Sequence, residues 1–164
     1  MRHVGEHTFE APLERVWEMF RDQASHIAKF ESMGHRDIEV LAFDADVDHA
    51  HLVISRTVDL DLPGFAKKVM QPTNTVVTTD DWKAKGDGTY GSDFVLETKG
   101  APVRSSGTTL LRADGSDRTF YRITVDVDVK VPIIGGRIAE WSKGVVARQL
   151  ELEFVAGDDW LTSH

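Results

Sequence analysis

One charged residue stands where a strand pattern asks for an apolar one. Between Ala50 and Leu60, residues Leu52, Ile54, Val58 and Leu60 share one face, and Arg56 falls among them. Burying an unpaired guanidinium is costly, so Arg56 must find a carboxylate, turn out to solvent, or meet an anionic group on a ligand. Tyr121 opens the apolar face of a later strand pattern. It offers a hydroxyl to a ligand, or serves as a core tyrosine with its hydroxyl at the rim. Trp141 lies in the closing helical pattern, and a large aromatic with a polar handle suits an amphipathic ligand as well as ordinary packing.

Other groupings carry less chemistry. In DADVDHAHLVIS, Asp44, Asp46 and Asp48 take positions one, three and five of a calcium loop. The sixth position is His49 rather than glycine and the twelfth is Ser55 rather than glutamate, so calcium is excluded. His49 and His51 project to one side of a strand and could join Asp48 on a metal, but a solvated turn accounts for them more simply. Gly135–Gly136 opens a helix without a P-loop lysine or a spaced third glycine, which reads as a tight turn and not a phosphate cradle. Glu6–His7, Asp80–Asp81 and the Asp126/Asp128 pair are acid–base groups without a nucleophile, base and orienter in sequence. Asp126 and Asp128 fall on the polar face of their strand. Ser105–Ser106 lacks a nucleophile-elbow setting. No catalytic residue, metal site or cofactor motif is assigned.

The elements that must position Arg56, Tyr121 and Trp141 follow from periodicity. Tyr121, Ile123, Val125, Val127, Val129 and Val131 alternate with polar residues, and after Pro132 and Gly135–Gly136 the period changes to that of a helix reaching roughly Val155. Val4–Glu10 predicts a first strand. Pro12 opens a helix whose apolar face is Leu13, Val16, Trp17 and Phe20, and a second short helix runs from about His26 to Met33, stopped by Gly34. Strands are predicted over Arg36–Ala45, Ala50–Leu60, Asn74–Trp82, Thr89–Lys99, Val103–Ala113 and Arg118–Val131, with Leu62–Met70 a loop or short helical turn. Asp87–Gly88 and Asp114–Gly115 are hairpin signals. The order is β–α–α, six strands, then a long α: an α+β chain with an antiparallel sheet. Roughly twenty residues of helix span about 30 Å, the width of six or seven strands spaced by about 5 Å. The helix is therefore expected to cover the sheet and leave a space beneath it.

Length and charge narrow the function classes. The 164 residues fit one domain, 1–164, and an apolar content of 41% argues for a folded core. A net charge of −8 with one adjacent basic pair, Lys67–Lys68, excludes a nucleic-acid footprint. The absence of cysteine excludes disulfides and thiolate chemistry. No segment has the length and apolarity of a membrane span, and the start shows no apolar signal region, so cytoplasmic residence is expected.

The segment FEAPLERVWEMFRD resembles the start of START-like proteins, the superfamily that includes the birch-pollen-allergen-like fold, polyketide cyclases and ring-hydroxylase domains. VPIIGGRIAEW resembles the segment before the last helix in an actinobacterial branch of that superfamily. The resemblance covers nearly the whole chain. It implies the helix-grip fold, a curved antiparallel sheet of about seven strands holding a hydrophobic ligand against the C-terminal helix. It implies no particular reaction, because the superfamily includes carriers, cyclases, regulators and sensors.

The expected function is binding or carriage of a hydrophobic or amphipathic small molecule, lipid or polyketide-like. The expected ligand-binding residues are Arg56, Phe65, Trp82, Phe94, Tyr121, Ile138, Trp141 and Val145. A cyclase or dehydratase is the alternative, and it requires two or more polar groups converging in the cavity. A third reading uses the helix stripe Val146, Leu150 and Phe154 to bind a protein or to form a homodimer.

Overall fold

The structure, a computed structural model, describes residues 1–164. Strand β1 (Arg2–Phe9) leads into helices α1 (Leu13–Phe20) and α2 (Gln23–Ser32). Six strands follow: β2 (Arg36–Ala45), β3 (His49–Asp59), β4 (Thr73–Ala84), β5 (Tyr90–Thr98), β6 (Val103–Ala113) and β7 (Thr119–Val129). Helix α3 (Gly135–Ser163) closes the chain. All seven strands form one antiparallel sheet in the order β1-β7-β6-β5-β4-β3-β2, with the chain's first strand brought to the edge beside β7. This is the helix-grip fold.

Alternation decides which residues face inward. On β7, Tyr121, Ile123, Val125 and Val127 are buried and form one face. They meet a core that includes Phe9, Val16, Trp17, Phe20, Leu52, Ile54 and Leu150. Trp17 anchors α1: its ring stacks on Tyr90 at 4.4 Å and its indole N–H donates to the Val47 carbonyl at 2.8 Å. Both ends of that side chain are thus satisfied in a buried setting.

The strands shift by one or two residues at their ends, and two helices differ more in extent from the sequence reading. Helix α2 begins at Gln23 because Asp22 caps it, its carboxylate accepting from the Ala24 amide at 2.9 Å. Helix α3 continues to Ser163 and does not stop near Val155. Gly157–Asp158–Asp159 looks like a helix end in isolation. In the fold, a Cβ on Gly157 would stand 2.7 Å from the Phe9 ring, so the absent side chain lets α3 lie close on β1. Asp158 pairs with His7 at 2.9 Å, Arg15 donates to the Leu161 carbonyl at 2.9 Å, and Leu161 is buried. Tertiary contacts carry the last two turns.

The β3–β4 connection is a packed turn. Leu62, Ala66 and Met70, four residues apart, bury against Ile138 of α3 and form a second small core. It closes one end of the space between sheet and helix.

Candidate functional site

The two larger chambers under α3 share walls. The outer chamber has a volume of about 190 Å³ and is lined by 23 residues, 15 of them hydrophobic. Beneath it lies an inner chamber of about 80 Å³. Arg56, Phe94, Leu96, Ile123 and Glu153 border both.

Helix α3 roofs the outer chamber with Trp141, Val145, Gln149 and Glu153, a ladder at spacing four that places them on one side. Val146 and Leu150 stand beside that ladder and line the chamber too. The floor comes from inward positions of the sheet, among them Val58, Val76, Phe94, Val125 and Val127. Phe94 depends on its cross-strand partner Gly107. A Cβ on Gly107 would lie 2.7 Å from the Phe94 ring and 1.8 Å from the Thr124 carbonyl, so only glycine lets the ring and backbone approach there.

The inner chamber is the polar one. Arg56 is 4% exposed. Its Nε donates to His35 Nδ1 at 3.1 Å, its Nη1 donates to Thr78 Oγ1 at 2.8 Å, and the Phe30 ring lies 3.8 Å from its guanidinium carbon. Burial pushes Arg56 down to about 10, which leaves it charged at neutral pH. His35 is pushed down to about 4, by burial and then by the Arg56 charge. Acceptance of the Arg56 N–H at Nδ1 puts the neutral ring's proton on Nε2, which is sealed without a partner.

His26 is held neutral as well, pushed down to about 3 by burial first and the Lys29 charge second. Its Nε2–H donates to the Phe20 carbonyl at 2.7 Å, so Nδ1 is left as a bare acceptor at the chamber. Across the chamber, Asp80 accepts the Trp82 indole N–H on Oδ2 at 3.0 Å, while Oδ1 is sealed without a partner. Burial pushes this carboxyl up to about 6. Tyr121 lies on the same chamber with its hydroxyl pushed well above its ordinary value, again by burial.

The residues singled out from sequence fall into four groups. Arg56 and Phe94 border both chambers, Trp141 and Val145 line the outer one, and Trp82 and Tyr121 line the inner one. Phe65 and Ile138 line neither. Ile138 is fully buried in the second small core, and Phe65 packs against that core with its ring 4.2 Å from the Arg137 guanidinium. The stripe Val146, Leu150 and Phe154 is covered by the chain itself: Leu150 is buried, and Phe154 stacks on His7 at 4.8 Å and meets Tyr121 at 5.9 Å. A partner-binding role for that stripe loses its basis there. On the surface, His49 engages Asp44 at 3.2 Å and Asp46 at 2.9 Å while His51 engages Asp81, and no cluster could hold a metal ion.

Sequence reasoning left His26, Lys29, Asp80, Gln149 and Glu153 out of the site. Asp80, Gln149 and Glu153 had a legible signal, Gln149 falling between Val145 and Glu153 at spacing four. Asp80 shares parity with Val76 and Trp82 on β4, and Glu153 continues the spacing of Trp141 and Val145.

A family model described as a protein of unknown function, DUF2505, matches residues 5–161. The chain belongs to the DUF2505 family. No curated protein matches it. Among solved structures, the protein TTHA0849 from Thermus thermophilus is similar with a TM-score of 0.69 and 14% identity, covering 99% of this chain and 98% of that one. The Zhui aromatase/cyclase from Streptomyces sp. R1128 has a TM-score of 0.67 at 17% identity, covering 99% and 93%. A START superfamily protein from Mycobacterium smegmatis has a TM-score of 0.63 at 14% identity, covering 99% and 97%. These likenesses show that this DUF2505 protein shares its fold with them. No helix is long and apolar enough to cross a membrane.

Proposed function

We propose that this protein binds a hydrophobic or amphipathic small molecule between the sheet and α3. One observation carries the reading. The outer chamber is mostly apolar, lies under the covering helix, and opens onto a polar inner chamber. Apolar walls with a few convergent polar groups are the usual make-up of a small-molecule site. At about 190 Å³ the outer chamber is below the ~300–1,000 Å³ of drug-sized pockets, which points to a compact ligand. Arg56, Trp82, Phe94, Tyr121, Trp141 and Val145 are the proposed contacts, while Phe65 and Ile138 shape the end wall.

Val145→Trp tests this by filling the outer chamber. The wild type should take up a lipophilic fluorophore at one per chain, and the variant should fold but lose that binding. Equal uptake by both proteins would place the binding elsewhere and reject the cavity reading.

A second reading, an enzyme that moves protons on its ligand, is favoured by Asp80. A carboxyl near pH 6 inside an apolar wall suits an acid–base catalyst. The structural relative Zhui is named an aromatase/cyclase, which makes this class worth assaying. Conversion of a bound ligand by the wild type but not by Asp80→Asn, with binding retained, would separate catalysis from carriage.

A further inference from the structure

We propose that the ligand is an apolar carboxylic acid, its carboxylate held by Arg56 and its apolar part in the outer chamber. This rests on the cavity-binding reading and names the class of molecule that the cavity takes.

Arg56 has donors to spare. A guanidinium has five N–H bonds in a fixed fork. Arg56 gives one to His35 and one to Thr78, so three have no acceptor on the protein. The chain's ion pairs all lie elsewhere, on exposed or half-exposed side chains. Arg56 is nonetheless among the most buried polar residues, and it borders both chambers. The three side-chain atoms that are sealed without a partner belong to Arg21, His35 and Asp80. Arg56 Nη2, which carries two N–H bonds and no partner, is not among them, so it is open to the cavity and not shut inside the wall.

Position and orientation fit the same ligand. Phe30 stacks on the guanidinium, and the bonds to His35 and Thr78 hold two of its nitrogens, so the fork cannot turn freely. A planar, pre-oriented fork matches a carboxylate in two parallel hydrogen bonds better than it matches an alcohol or a ketone. His35 supplies an acceptor but no negative charge, so the compensation reaching the cation is the Glu153 charge, acting from beyond ion-pair distance. Glu153 approaches from α3 and Asp80 from β4, and neither forms an ion pair with it. Lys29 of α2 lies on the same inner chamber and offsets part of their charge. Beyond the fork, apolar side chains of the sheet and of α3 line the outer chamber, where a hydrocarbon tail would sit.

Octanoate and 1-octanol differ at the head group and share a tail, so the pair tests the proposal. Occupancy is read by intrinsic fluorescence, because Trp82 borders the inner chamber and Trp141 the outer one. At pH 8 the wild type should bind octanoate at least about tenfold more tightly than octanol. Arg56→Met keeps the stem and removes the charge, and it should abolish that preference by bringing octanoate down to the affinity of octanol. Glu153→Gln removes a rival charge from the same chamber and should tighten octanoate several-fold, a readout that stands even if Arg56→Met fails to fold. Equal wild-type affinities would overturn the carboxylate site and leave the cavity reading intact. Parallel loss of both ligands in Arg56→Met would show that Arg56 only shapes the cavity, and would overturn it too. Binding of neither ligand by the wild type would count against both.

Discussion

Asp80 is the residue whose removal should stabilise this protein, and only above a certain pH. Its ordinary value of 3.8 rises to about 6 in the fold because the carboxyl is buried. The folded chain therefore holds this proton more tightly than the unfolded chain does. The contribution is fully favourable below 3.8 and is lost as pH rises through about 6, leaving an ionised carboxylate in the wall of an inner chamber. The gap corresponds to about 3 kcal/mol at pH 8. Asp80→Asn keeps an acceptor for the Trp82 indole and cannot ionise. Urea denaturation of both proteins from pH 4 to pH 8 gives the difference curve. It should climb by about 3 kcal/mol in favour of the variant, with most of the climb between about pH 4 and 6.5. A fixed packing cost from the new amide shifts the curve without changing its shape. Parallel stability curves for the two proteins would refute the reasoning, because they would mean that the carboxyl is hydrated in the fold.

The buried histidines should act in the opposite direction. His26 and His35 fall from 6.5 to about 3 and about 4, so the unfolded chain takes up their protons first and stability is lost as pH falls below 6.5. At pH 5 each costs about 2 kcal/mol against about 1 kcal/mol regained by Asp80, so the wild type should weaken in acid. His26→Gln should flatten that acid limb in the same denaturation series. Gly157→Leu should lower stability by about 1–3 kcal/mol by forcing α3 off Phe9, seen as a lower urea midpoint with an unchanged slope.

Most of the architecture was legible because it rests on local period. The alternation through Val127 and Val129 and the helical stripe after Gly136 are consequences of backbone geometry, and each names its own element. Arg56 was legible for the same reason: it breaks an apolar face, and a broken pattern is visible in one dimension. The end of α3 was not legible. Gly157 weakens a helix in isolation, and only the Phe9 ring against it turns that glycine into a packing device. The second stripe misled similarly, since apolar residues at spacing four do not say whether their cover is a partner or β1 and β7 of the same chain.

Composition and periodicity by themselves determined the class of fold, the absence of thiol chemistry, and one anomalous cation. Tertiary structure decided what surrounds that cation. His35 and Phe30 flank the strand-borne Arg56 from 21 and 26 positions earlier in the chain, and Glu153 comes from almost a hundred positions later. Whether a buried charge is paired or left available depends on which carboxylates the fold brings within reach. That distance is a property of packed elements, and no spacing along the chain encodes it.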